Sequence, residues 1–171
     1  MPDSDEIKGL KEVIRDEVIH VLRNVTILSG FDEQEILRIF TNCQIMEKQA
    51  GEILIEEGMP ATEIYVILQG KVGIVLDMKG DPIELAEFGP GACIGEASVI
   101  GVQNHSASVV TKAVSEFLVL TRATLMDLYD RDKSTFSMLV LNIARELARR
   151  LYKTDQVLLH YGKKKENKQL K

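Results

Sequence analysis

Tryptophan is absent from this 171-residue chain, and aromatic residues make up only 5% of it. A stacking platform for single-stranded nucleic acid needs aromatic faces, so that function is excluded. The net charge of −5 argues equally against a general nucleic-acid surface. The five lysines after Gly162 are confined to a short tail. There are two cysteines, Cys43 and Cys93, far apart and each in an apolar setting. No Cys-x-x-Cys pair exists, so buried reduced thiols in a cytoplasmic protein are the expectation. No apolar run approaches the roughly 20 residues that span a bilayer, so no membrane contact is expected. The start, MPDSDEIKGL, is acidic and lacks the apolar stretch of a signal peptide. The three histidines, His20, His105 and His160, fall in different elements without metal-ligand spacing. There is no Gly-x-Ser-x-Gly either. Neither a metal nor an enzyme is expected.

What the chain does contain changes character twice. Asp5 to Arg23 has helical spacing, with Ile7, Leu10, Ile14, Val18 and Leu22 on one stripe. Thr26 to Gly30 breaks it. Phe31 to Asn42 reads as a second helix, with Asp32 as N-cap, Glu35 completing a capping box, and Ile36, Leu37, Ile39 and Phe40 inward. From Gln44 to Leu120 the apolar residues come in short runs cut by glycines. The runs are Ile53–Ile55, Ile64–Leu68, Val72–Leu76, Ile83–Phe88, His105–Thr111 and Glu116–Thr121. Closely spaced short strands of this kind predict an antiparallel sandwich or barrel. The strands on both sides of Gly70 read as buried on one face only, and Lys79-Gly80-Asp81 reads as a hairpin turn. Arg122 to Asp130 is helical again. Ser134 to about Tyr161 is one long helix of roughly 40 Å at 1.5 Å per residue. Its apolar seam is Phe136, Val140, Ile143, Leu147, Leu151, Leu158 and Tyr161. A seam so narrow and so long predicts a symmetric homodimer, helix against helix. The alternative is that part of it packs on the chain's own sheets. Lys163 to Lys171 reads as a disordered basic tail.

The chemistry concentrates between Gly89 and Val110. A glycine turn at Gly89-Pro90-Gly91 leads through Ala92-Cys93-Ile94 to Gly95-Glu96, a short helix, a loop, and Ser106-Ala107-Ser108-Val109-Val110. A glycine ahead of a short helix lets backbone approach a ligand, and the free N–H groups of the first turn favour an anion. The same junction also serves simply to turn a chain.

Four patterns in order then resemble the cyclic nucleotide-binding domain, from about Val25 to Tyr161. Leu28-Ser29-Gly30-Phe31 resembles the family's opening segment. Ala50 to Gly58 is similar to its Gly-Glu-x-Ile-x-x-x-Gly stretch, and Ile64 to Val72 to its Tyr-x-Ile-x-x-Gly-x-Val strands. Gly95-Glu96 followed by His105-Ser106-Ala107-Ser108-Val109 resembles its phosphate-binding cassette. Two positions depart. Ile94 replaces the aromatic, and His105 replaces the arginine that pairs with the cyclic phosphate. Arginine offers a permanent, forked charge, whereas a histidine charge depends on pH.

The resemblance implies an eight-stranded antiparallel jelly-roll barrel with N-terminal helices and a long C-terminal helix. It divides the chain into an N-terminal helical segment (1–30), the β-barrel (31–133), a dimerisation helix (134–162) and the tail (163–171). It implies cAMP, or less readily cGMP, as ligand. Gly95, Glu96, Ala97, Ser98, His105, Ser106 and Ala107 would hold phosphate and ribose, with Glu96 accepting from the 2′-hydroxyl. A carboxylate has the lone pairs for that task, and it equally suits the positive end of a helix. Ala148 to Thr154 is similar to the dimer helix of the catabolite-activator branch. This places Thr154 and Asp155 near the base across the dimer, unless Thr154 is simply an exposed helical residue. That branch continues into a helix-turn-helix of about 70 residues, which this sequence lacks. The expectation is a stand-alone sensor that acts through an unidentified protein effector without reading DNA. A diverged pocket, taking another small anion or serving only as scaffold in a dimeric adaptor, is the other reading.

Overall fold

The structure, a computed structural model, describes residues 16–40 and 43–169. Eight strands form two four-stranded antiparallel sheets. They are β1 (Gln44–Lys48), β2 (Ile53–Ile55), β3 (Glu63–Gln69), β4 (Val72–Leu76), β5 (Ile83–Phe88), β6 (Cys93–Ile94), β7 (Ser108–Thr111) and β8 (Ser115–Thr121). One sheet has the order β1-β8-β3-β6, the other β2-β7-β4-β5. The expected closed barrel is not formed, because no ladder joins the two sheets among the described residues. The outer strands β2 and β6 have three and two residues, too short to carry pairing around a corner.

Both sides of the first sheet are covered. On β3, Ile64, Val66 and Leu68 face the helices while Tyr65 and Ile67 face the second sheet. On β8, Leu118 and Leu120 face the helices and Phe117 and Val119 the other way. The chain therefore has three layers and two apolar cores. This corrects the expectation of one buried face before Gly70. A strand buried on both faces reads as a continuous apolar run, which is what Ile64 to Leu68 is. The turn at Lys79-Gly80-Asp81 is as expected, with Gly80 N–H donating to Asp77 O at 3.0 Å and Asp81 N–H to Asp77 Oδ2 at 3.0 Å.

The helical layer is α1 (Asp16–Arg23), a 3-10 turn (Thr26–Leu28), α2 (Glu33–Phe40), α4 (Arg122–Arg131) and α5 (Lys133–Gln169), with a short α3 (Glu96–Ile100) in the β region. The expected start of α1, with Ile7, Leu10 and Ile14, lies outside the described residues, as do Thr41 and Asn42 at the end of α2. The capping box is present. Glu35 N–H donates to Asp32 Oδ1 at 2.8 Å, and Asp32 N–H to Glu35 Oε2 at 2.8 Å. Residues 163–169, expected as a disordered tail, continue α5.

The seam of α5 divides in two. Leu139 and Ile143 are fully buried, with Phe136 and Leu147 packed beside them. Leu151 and Leu158 are each 63% exposed. The first half of the helix is thus used on the chain's own core. The anchor is Asn142, 3% exposed. Its Nδ2 donates to Ile27 O at 3.2 Å and Ser29 O at 2.8 Å, and its Oδ1 accepts from Arg145 Nη1 at 3.1 Å. Replacing Asn142→Ala leaves the buried carbonyl of Ile27 without its donor and frees that of exposed Ser29, and should cost about 1–3 kcal/mol. Urea unfolding checks this, and an unchanged midpoint refutes it.

Candidate functional site

Strand β6 ends at Ile94, paired with Tyr65 of β3. Gly95 follows at φ 87°. A Cβ there would stand 2.7 Å from Glu63 O, so both the left-handed backbone and the neighbouring strand require glycine. The turn sends Glu96 inward as the first residue of α3, and no side chain caps the helix start. First-turn N–H groups lack intrahelical partners. Gly95, Glu96, Ala97 and Ser98 line a pocket of about 190 Å³ together with His105, Ser106 and Ala107. Ile55, Ile74, Phe88, Ile94 and Val109 supply its apolar lining. The seven cassette residues expected from the sequence are thus brought together.

Thr154 and Asp155 are not. Both are exposed and lie outside the pocket lining, and Thr154 Oγ1 donates to Arg150 O at 3.0 Å. Within one chain they do not reach the site.

The residue that sequence reasoning missed is Arg150, which lines the same pocket. Its Nη1 donates to Glu96 Oε1 at 2.6 Å and its Nη2 to Cys93 O at 2.9 Å. Its guanidinium lies 5.4 Å from the centre of the Phe88 ring. Glu146, one turn earlier, also accepts from Arg150, at 3.3 Å, and pairs with Arg149 at 2.5 Å. A signal existed, since Arg150 stands one helical turn before Thr154. Nothing local says that the turn meets the cassette.

Glu96 is 1% exposed, and its Oε2 has no hydrogen-bond partner. Burial holds its carboxyl above the usual range, and Arg150 opposes that shift. The fully buried Cys93 thiol lies close to Glu96, and burial pushes it well up, so it stays protonated. Cys43 is half-buried rather than buried, and burial pushes its thiol up to about 12. His105 is pinned by its backbone, with its N–H donating to Met59 O at 2.9 Å and its O accepting from Gly58 N–H at 2.8 Å. Burial lowers its side-chain pKa below 6.5. At neutral pH the cassette histidine is uncharged, and Arg150 is the guanidinium in the pocket. Among the described residues, no group of three or more His, Cys, Asp or Glu could hold a metal ion. No helix among them is long and apolar enough to cross a membrane.

Comparison with known proteins agrees with this geometry. The model of the cyclic nucleotide-binding domain matches residues 45–132. A putative potassium channel protein of Rhodopseudomonas palustris is 32% identical over 132 residues, 74% of this chain and 31% of its own length. A crystal structure of a cyclic nucleotide-binding domain from Methylobacillus flagellatus superposes with a TM-score of 0.74 at 24% identity, covering 89% of this chain and 84% of that one. The Thermus thermophilus catabolite activator protein gives 0.69 at 28% identity, over 78% of this chain and 61% of that one. The chain belongs to the cyclic nucleotide-binding domain family. It spans under a third of the channel protein it matches.

Removing Arg150 tests the pair. Arg150→Ala should cost about 1.5–3 kcal/mol at pH 7, since it strands a buried carboxylate. The same substitution raises the Glu96 carboxyl further. A carboxyl raised on folding holds its proton better in the folded state, so its contribution falls as pH climbs through the folded value. The deficit should therefore shrink from pH 7 to pH 5. Denaturation at both values checks it, and an equal deficit contradicts the assignment.

Proposed function

We propose that this chain is a regulatory domain that binds a cyclic nucleotide, cAMP more readily than cGMP, and passes the bound state to a protein partner. The observation that carries this is the orphan oxygen of Glu96. A buried carboxylate oxygen without a donor is costly to leave so, and a ribose hydroxyl entering the pocket supplies one. The Arg150 pair fixes the other oxygen, so the acceptor is already aimed. The phosphate meets backbone N–H groups of the cassette, the hydroxyl of Ser106 and the ring of His105.

The likeness of α5 to the catabolite-activator branch favours cAMP and a homodimer. Leu141, Leu151 and Leu158 are exposed at 45%, 63% and 63%, with Ala144 and Ala148 at the intervening steps of three and four. A second copy laid along this stripe would cover it and would bring Thr154 and Asp155 toward the partner's pocket. Substituting Leu151→Glu with Leu158→Glu should then halve the sedimenting mass at tens of micromolar. A mass unchanged from a monomeric parent refutes the dimer.

A second reading has its own support. Glu96 and Arg150 cancel, and His105 is neutral at pH 7, so the pocket offers an anion little net charge. A pocket turned to another small ligand, or to none, has the same features.

Isothermal titration with cAMP and with cGMP at pH 6 and pH 8 separates them. A bound phosphate favours the charged histidine, so it raises the His105 pKa. Affinity should then rise about two- to tenfold from pH 8 to pH 6. His105→Arg should strengthen binding at pH 8 by about ten- to hundredfold. No heat up to millimolar ligand, in the parent and in the arginine variant, sinks the nucleotide reading.

A further inference from the structure

The rear of the cassette helix is held as deliberately as its front. Helix α3 has five residues. It does not end on a left-handed glycine, because Gly101 has φ −73°. The left-handed step falls one residue later, on Val102 at φ 51°. Val102 is β-branched and 73% exposed, so no packing compensates for that conformation. Arg122, the first residue of α4, reaches back to this point. Its Nη2 donates to Ala61 O at 3.1 Å and to Val99 O at 3.4 Å, while its backbone N–H donates to Thr62 O at 2.9 Å. One guanidinium thus joins the last turn of α3, the β2–β3 loop and the start of α4. Its charge stands at the negative end of the short helix.

Helix α4 in turn packs on α5, which brings Arg150 to Glu96. The cassette helix is therefore gripped from two sides by two arginines on consecutive helices. Arg122 is not part of the pocket lining. We propose that Arg122 is a positioning residue for the ligand site: it holds α3 at the depth that aims Glu96, and the left-handed turn at Val102 is a separate cost to stability. This rests on the proposed binding of a cyclic nucleotide, but the clamp itself is visible without ligand.

The test separates positioning from bulk stability. Arg122→Ala should weaken cyclic nucleotide binding about tenfold. In the ligand-free protein it should speed hydrogen exchange about tenfold at Gly101, whose N–H donates to Ala97 O at 2.9 Å. Val102→Gly relieves the left-handed residue, so adding it to Arg122→Ala should recover thermal stability without recovering either affinity or protection. Arg122→Lys, which keeps the charge but not the fork, should recover part of both. If the double variant regains affinity and protection along with its melting temperature, Arg122 acts through stability alone and the proposal falls. If Gly101 protection is unchanged in Arg122→Ala at matched stability, it also falls. If the parent binds neither cAMP nor cGMP, the functional reading fails, and the exchange measurement still decides the clamp.

Discussion

Glu96 is a carboxylate at the bottom of an apolar pocket, and desolvating such a group costs several kcal/mol unless a cation meets it. The cation here is Arg150, 54 residues away on the far helix. Much of the arrangement follows from that single requirement. It sets how closely α5 approaches the end of β6, because the same guanidinium must also reach Cys93 O. It places Phe88 under the guanidinium, where an aromatic face is favourable for a cation. It also leaves one carboxylate oxygen over, because Arg150 divides its donors among Glu96, Cys93 O and Glu146 and meets only one oxygen of the Glu96 carboxylate. That remainder is a buried acceptor on the pocket wall.

The position of the charge distinguishes this pocket. An arginine in the cassette would aim a permanent charge at the phosphate from the loop between α3 and β7. Here the loop carries His105, which burial keeps neutral at pH 7. The remaining cation is already engaged to Glu96. Recognition of an anion therefore leans on backbone N–H groups and on a titratable ring. The fold is that of a cyclic nucleotide-binding domain, and the one titratable ring in the loop, His105, gives up its charge below the usual histidine range.

Much of the fold was legible because its signals are local. The capping box at Asp32 and Glu35, the glycine at 95, the continuous run of β3 and the turn around Gly80 each act within a few residues. Two strands were missed for physical reasons. The first, Gln44–Lys48, is a half-exposed edge strand whose polar and apolar residues give little contrast. The sixth, Cys93–Ile94, is too short to show any alternation. The long helix was seen, with packing of part of its seam on the chain's own sheets as the alternative to a dimer along its length. Leu139 and Ile143 bury against the chain's own core, while Leu151 and Leu158 do not. Periodicity marks an apolar stripe without saying what covers each turn of it.

The sequence by itself determined the order of elements, the family, and the cassette, because glycine geometry and motif spacing are written in neighbouring residues. It also showed the loss of the usual arginine at His105. Only the tertiary structure decided that the strands form two open sheets rather than a closed barrel, since closure depends on pairing between distant edges. Only the structure brought Arg150 to Glu96 and Arg122 to Val99, and left Thr154 outside the pocket of its own chain. Such contacts join residues separated by tens of positions, and their distances are set by how the layers pack.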